Sequence, residues 1–244
     1  MSACGGCFIT GTDTDVGKTY ASVALVRALV RHGLRVAVMK PIAAGALTTP
    51  AGLRNSDATA LMAAANVAAD YADVNPYCLR APVSPHIAAA ADGVHIDIAH
   101  ILQRFEQQSA RAEWIVVEGA GGWFVPLNDR QTGADLARAL GLPVVLVVGL
   151  RLGCLNHALL SARAIEAAHV PFAGWIANHI DPQFERATEN LQTLERLLGS
   201  GALAYLPHAG AREPGAAASE AVAAASTAVM RLLATRRSHE SPAI

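Results

Sequence analysis

Short apolar, β-branched runs alternate along this chain with longer stretches in which apolar residues recur every three or four positions. Cys7–Thr10, Val36–Met39, Trp114–Val117, Val144–Val148 and Gly174–Ala177 read as buried strands, and Leu203–Leu206 as a sixth. Between them the helical spacing predicts Lys18–His32, stopped by Gly33, and then Asp57–Ala65, Ile96–Gln108, Gly133–Leu140, Asn156–Ala168 and Glu185–Leu198. The alanine-rich segment around Ala216–Leu233 predicts a last packed helix, on the strength of Val222, Val229, Leu232 and Leu233. The strands are almost continuously apolar, so both faces of their sheet should be covered. Strand–helix alternation of this kind gives a three-layer, doubly wound α/β fold: a mostly parallel sheet of about six to seven strands with helices on both faces. Ligands of such sheets bind beyond the carboxyl ends of the strands, which is where chemistry is sought. Ile42–Arg54 and Asn75–Gly93, with their Pro and Gly, read as long loops. Residues 1–234 are expected to form one domain, and the polar Thr235–Ile244 a frayed tail.

Composition narrows the function classes. The 244 residues carry a formal net charge of −1, which argues against a nucleic-acid coat or a polybasic membrane patch. Only 16% of residues are charged and 52% are hydrophobic, the opposite of a disordered chain. Leu142–Leu150, the longest apolar stretch, falls far short of the ~20 residues a membrane helix needs. With no recognisable signal peptide, the expected setting is a reducing cytoplasm and free thiols. Cys4 and Cys7 have metal-pair spacing but stand alone, and read as a tail residue and the start of a strand.

Gly11-Thr12-Asp13-Thr14-Asp15-Val16-Gly17-Lys18-Thr19 follows the first strand and opens the first helix, the context of a phosphate-binding loop. There, backbone N–H groups and a helix N-terminus cradle phosphate oxygens, Lys18 reaches the β- and γ-phosphates, and the Thr19 hydroxyl serves Mg²⁺. The usual spacing would put a glycine at Thr12, so Gly11 stands one place early. Asp13 and Asp15 are unexpected in an anion cradle. They either serve an amine-bearing ligand or accept backbone N–H bonds.

Glu118, before Gly119, Ala120, Gly121 and Gly122, sits where a strand delivers a carboxylate to the active edge. It is a candidate Mg²⁺ ligand or a strand-end salt bridge. Spacing leaves Asp57 either a helix cap or a metal ligand. Lys40 ends the second strand and can stabilise a transferred phosphoryl group, or else be a surface lysine. The Asn178 side-chain amide can read a purine edge. His157, His179 and His208 lie near strand ends, none with zinc-ligand spacing and none given a catalytic role.

Taken together, these residues resemble the dethiobiotin synthetases, ATP-dependent ring-closing enzymes of biotin synthesis. The matching segments are GTDTDVGKT (11–19), Lys40-Pro41, LRNSD (53–57), VNPY (74–77), SPHI (84–87), VEGAGGW (117–123), LGCLNH (152–157) and GWIAN (174–178). The resemblance implies that 7,8-diaminononanoate takes up CO₂ as a carbamate, which receives the γ-phosphate of ATP; the second amine then closes the ring. It implies that Thr19, Asp57 and Glu118 hold Mg²⁺, that Lys40 and Lys18 are catalytic, and that Asn178 reads adenine. Further nucleotide contacts are expected from Asp15, Val16, Gly17, Tyr20, Gly119, Ala120, Gly121 and His179, with Pro207, His208 and Ala209 as the far wall of the adenine pocket. Substrate contacts are expected from Thr14, Lys40 and Ala44, and from Gly153, Cys154, Leu155 and Asn156 reaching over from the neighbouring subunit of a homodimer. Ala44 departs from the family, which often has Ser or Thr there, and removes a hydrogen bond of about 1 kcal/mol. Partitioning ATPases of the same branch carry a signature lysine where this chain has Asp13. A cobyrinate-type amide synthase would need a glutamine-hydrolysing domain that the residues after Pro207 cannot build. A non-catalytic binding module would not need Lys18, Thr19, Lys40, Asp57 and Glu118 together.

Overall fold

A strand whose residues are all apolar can be buried on both sides, because successive side chains point to opposite faces. This explains how β1 (Gly5–Gly11) and β8 (Val144–Leu150) come to lie at the centre of the sheet. The structure, a computed structural model, describes residues 4–208 and 214–240. Six strands form one sheet in the order β10-β9-β8-β1-β7-β2, completed by β2 (Val36–Met39), β7 (Trp114–Gly122), β9 (Phe172–His179) and β10 (Ala204–Leu206). Every pairing in it is parallel, so all the carboxyl ends share one edge.

The period-two alternation divides the core. Phe8, Met39, Val117, Leu146, Val148 and Trp175 face one side, under α5 (Ile98–Ser109), α6 (Gly133–Leu140), α7 (Cys154–Ala167) and α8 (Ala187–Leu198). Cys7, Ile9, Val38, Val116, Val147 and Ile176 face the other, under α1 (Lys18–Arg31), α2 (Ser56–Ala64) and α9 (Pro214–Glu240). Trp175 is fully buried and donates its indole N–H to the Ser200 carbonyl at 3.1 Å. The doubly wound parallel architecture is therefore as expected, and all six anticipated strands are present.

Several boundaries differ. β7 runs on to Gly122, so Glu118 lies within the strand rather than at its end. α7 begins at Cys154, two residues before the apolar spacing becomes regular. α9 continues to Glu240, through most of the polar segment expected to fray, while residues 241–244 lie outside the described residues. The two expected loops contain structure. Ile42–Arg54 holds β3 (Ile42–Ala43) and the hairpin β4 (Leu47–Thr49) with β5 (Gly52–Arg54). Asn75–Gly93 holds β6 (Tyr77–Cys78), which pairs in parallel with β3, and α4 (Pro85–Ala91). A short helix, α3 (Tyr71–Val74), precedes them. Two- and three-residue strands carry no period of their own, and their pairing partners fix them.

Cys7 is buried in β1, and burial pushes its thiol up to about 12. Cys4 donates its thiol to the Gly5 carbonyl at 3.2 Å. Among the described residues no disulfide joins the cysteines, and no group of three or more His, Cys, Asp or Glu could hold a metal. Among the same residues no helix is long and apolar enough to cross a membrane.

Leu25 of α1 is fully buried against the sheet. Leu25→Ala is expected to cost about 2–5 kcal/mol through lost transfer energy and a residual cavity, read as a lower urea midpoint with an unchanged slope.

Candidate functional site

Strand register builds the centre of the site. β2 and β7 pair Met39 with Val117, so the next residues, Lys40 and Glu118, come side by side at the sheet's carboxyl edge. The Lys40 ammonium donates to Glu118 Oε1 at 2.5 Å and lies 3.1 Å from Asp57 Oδ2. Both Lys40 and Glu118 are buried. Taking one partner away from a buried pair costs about 3–5 kcal/mol, because the other charge is stranded. Burial works against the charge of Lys40, but Glu118 and Asp57 outweigh it and hold its pKa above the ordinary lysine value. Lys40 is thus a permanent cation inside the protein, not a surface lysine.

Asp57 does not cap its helix. Asn55 does: its Oδ1 accepts from the Asp57 and Ala58 N–H groups at 3.0 and 3.3 Å. The Asp57 carboxylate is therefore left to the cluster with Lys40. The Thr19 hydroxyl donates to Glu118 Oε1 at 2.8 Å, which brings together the three expected metal ligands, Thr19, Asp57 and Glu118. Glu118 Oε2 is buried with no hydrogen-bond partner. An orphaned carboxylate oxygen beside a hydroxyl and a second carboxylate is a donor set that suits a hard divalent cation such as Mg²⁺.

The phosphate loop runs from Gly11 into α1. A Cβ at Gly11 would stand 2.7 Å from Val16 Cγ2, so the loop folds back over that glycine, and its early position is accommodated. Gly17 has φ 81° at the helix start, and a Cβ there would meet Asn178 Nδ2 at 2.0 Å. Asn178 is buried and donates to the Val16 carbonyl at 2.9 Å, holding the loop to the end of β9. Lys18 is buried and donates to the Asp13 carbonyl at 2.8 Å. Burial and the neighbouring Lys40 charge, partly offset by Glu118, Asp57 and Asp15, push Lys18 down to about 8.

Asp13 is engaged within the loop and by an arginine outside it. Asp13 accepts the Thr14 N–H at 2.7 Å and pairs with Arg151 at 2.5 Å. Arg151 follows β8, and no local pattern in the sequence marks it. Asp15 takes a left-handed backbone, φ 57°. The Gly119 carbonyl lies 3.4 Å from the Lys40 ammonium, with Ala120 and Gly121 following in β7, and Tyr20 packs in the first turn of α1.

His179 ends β9, and the His208 ring Nδ1 lies 3.2 Å from the His179 carbonyl. β10 pairs Leu206 with Asn178, so Pro207 and His208 join Asn178 and His179 at one corner; Ala209 lies outside the described residues. Ala44 is tied through its carbonyl to Asn55 Nδ2 at 3.2 Å. Gly153, Cys154, Leu155 and Asn156 open α7 on a separate part of the edge. Among the described residues no hydrogen bond or ion pair joins them to Lys40, Asp57 or Glu118.

Because Lys18 is partly deprotonated above about pH 8 in the free protein, ATP should restore its charge by drawing a proton. Metal-free ATP titrated calorimetrically at about pH 8.5 in two buffers of different ionisation enthalpy should show proton uptake that fades towards pH 7. Equal heats in both buffers at the higher pH would refute the shift.

Comparison with known proteins agrees with this geometry. A family described as an AAA domain matches residues 6–214. The chain is 50% identical over 212 residues to the ATP-dependent dethiobiotin synthetase BioD of Aromatoleum aromaticum, a match covering 87% of this chain and 94% of that one. Among solved structures it is similar to the MinD cell division protein of Aquifex aeolicus, with TM-score 0.55, 17% identity and coverage of 99% and 100% of the two chains. It is also similar to a ParA family ATPase from Chlorobium tepidum, with TM-score 0.52, 12% identity and coverage of 96% and 97%. At such identities those two likenesses speak for the phosphate-loop fold alone. The curated relative is close enough to say more: this chain belongs to the family of ATP-dependent dethiobiotin synthetases.

Proposed function

We propose that the chain closes the ureido ring of dethiobiotin from 7,8-diaminononanoate, CO₂ and ATP. The observation that carries the reading is Lys40: a buried cation between Glu118 and Asp57, close enough to the phosphate-loop Lys18 to depress it. Two lysines beside a phosphate cradle suit the transfer of a phosphoryl group to an anionic acceptor, since such transfers are mostly positioning and charge stabilisation.

In the proposed sequence, one amine nitrogen attacks CO₂ and loses a proton to give a carbamate. A carbamate oxygen then attacks the γ-phosphorus as the bond to the β-bridging oxygen breaks, yielding ADP and a carbamic–phosphoric anhydride. The second amine attacks the carbamoyl carbon, phosphate leaves, and the amine proton goes to solvent. Lys18 and the loop N–H groups hold the phosphates, and Lys40 neutralises charge on the carbamate and the migrating phosphoryl. Thr19, Asp57 and Glu118 would hold Mg²⁺, which supplies further neutralisation of the phosphate oxygens when bound. Asn178 keeps one amide hydrogen and its carbonyl for an adenine edge after bonding Val16, with His179, Pro207 and His208 beside it.

The homodimer belongs to the same proposal. Leu152, just before the Gly153–Asn156 segment, is 91% exposed and would be covered in that dimer. In the proposed dimer, this segment meets the carboxylate end of the diamine bound in the partner.

Phosphate release from Mg²⁺-ATP in bicarbonate buffer should depend on 7,8-diaminononanoate, with the cyclic urea appearing by mass spectrometry. ATP turnover indifferent to the diamine, with no cyclic product, would overturn the proposal. Lys40→Ala should lower kcat about 10²–10³-fold while ATP still binds. Normal turnover by that variant would remove Lys40 from the mechanism.

A further inference from the structure

Lys40 follows β2 and Asp57 opens α2 further along the chain, and no strand pairing joins the two. Three polar residues, none expected to act at the site, connect the two. The Tyr71 hydroxyl accepts the Asn55 N–H at 2.7 Å and donates to Asn75 Oδ1 at 3.0 Å. On one side, Asn55 caps α2 and so fixes the turn that carries Asp57, while its Nδ2 reaches the Ala44 carbonyl. On the other, Asn75 Nδ2 donates to the Lys40 carbonyl at 2.7 Å, beside a backbone bond from Lys40 N–H to the Val74 carbonyl at 2.8 Å. Asn55 and Asn75 are both buried.

Resting on the reading of Lys40 and Asp57 just given, we infer that Tyr71, through Asn75 and Asn55, is the positioning residue that sets the Lys40 ammonium against the Asp57 carboxylate. One hydroxyl links the Asn55 backbone to the Asn75 side chain that holds the Lys40 carbonyl, so it joins the two segments. The hydroxyl has the capacity for both ties. Its one donor is spent on Asn75; of its two acceptor sites, one is taken by Asn55 and one lies 3.4 Å from Cys78 Sγ. Burial and the Cys78 thiol push the phenol up to about 12, so the donor persists throughout the neutral range. The Arg54 guanidinium stacks on the ring at 4.1 Å, which fixes the ring by contacts that do not use the hydroxyl. Removing the hydroxyl alone therefore cuts the tie and leaves the ring seated.

Tyr71→Phe is the test, compared with wild type, Lys40→Ala, Asn75→Ala and the Tyr71→Phe/Asn75→Ala pair, by dethiobiotin formation per folded molecule. The expected result is a fall in kcat of about 10–100-fold with the KM for ATP unchanged, because no Tyr71 contact reaches residues 11–19. The double variant should be little worse than the single ones, since both cut the same link. If Lys40→Ala is inactive but Tyr71→Phe matches wild type, the positioning role falls and the reading of the site stands. If Tyr71→Phe loses activity only in proportion to unfolded protein, or raises the KM for ATP with kcat intact, or adds fully to Asn75→Ala, the role is structural and the inference fails. If Lys40→Ala itself is fully active, both fall together.

Discussion

The Lys40–Glu118 pair is the contact around which the rest of the site is arranged. Both charges are out of water, so each depends on the other and on the polar atoms around them. The parallel register of β2 and β7 delivers them as neighbours. The pair also requires company. Asp57 gives Lys40 a second counter-charge, Thr19 gives Glu118 a hydroxyl, and the remaining Glu118 oxygen is left unpaired. A buried carboxylate oxygen without a partner is costly in a ligand-free protein and useful where a cation is to be bound. Lys18 is depressed by its burial first and by the nearby Lys40 ammonium second, in a region whose positive charge phosphate oxygens would neutralise.

The phosphate loop is held from outside itself. Asn178 grips the Val16 carbonyl, the Thr12 N–H bonds to the Val147 carbonyl at 3.0 Å, and Arg151 neutralises Asp13. These anchors come from β8 and β9, the strands on one side of β1, whereas Lys40 and Glu118 come from the strands on the other. The anchors of the loop and the Lys40–Glu118 pair thus come from opposite sides of β1, and Thr19 joins the loop to Glu118. Binding and chemistry can then be altered separately, which is why ATP affinity and turnover are expected to part company in variants at Lys40 or Tyr71.

How far the site is legible in the sequence depends on whether a residue's partner is local. The strands of the sheet can be read because apolar runs such as Val144–Val148 carry their own signal. The phosphate loop, Glu118 and Lys40 can be read because strand ends and glycines mark the active edge. Asp57 cannot be resolved between cap and ligand until Asn55, two residues earlier, is seen to take the cap. The short strands in Ile42–Arg54 and Asn75–Gly93 read as loop because each is defined by pairing, not by period. Arg151 and Asp13 are 138 positions apart, and nothing near either marks the pair. Tyr71 and Asn75 bond largely to backbone groups of distant segments, which have no letter in the sequence. VNPY carries part of the resemblance to the family without disclosing what Asn75 does.

Fold and chemistry divide along the same line. The sheet and its phosphate loop are shared with MinD and ParA-type proteins at 17% identity and below, so they cannot by themselves account for a ring-closing ligase. Much of what the proposed reading adds to that fold lies between β2 and β7: the Lys40 end of the strand, the hairpin, α2 with Asp57, and the Tyr71–Asn75 tie. This stretch is joined by side chains more than by sheet pairing, and its main contribution to the site is to bring a lysine and a carboxylate to a fixed separation. Ala44 sits inside it with its carbonyl held by Asn55, a tie that uses no side-chain group of position 44. Backbone ties such as this one hold the frame independently of the side chain at position 44.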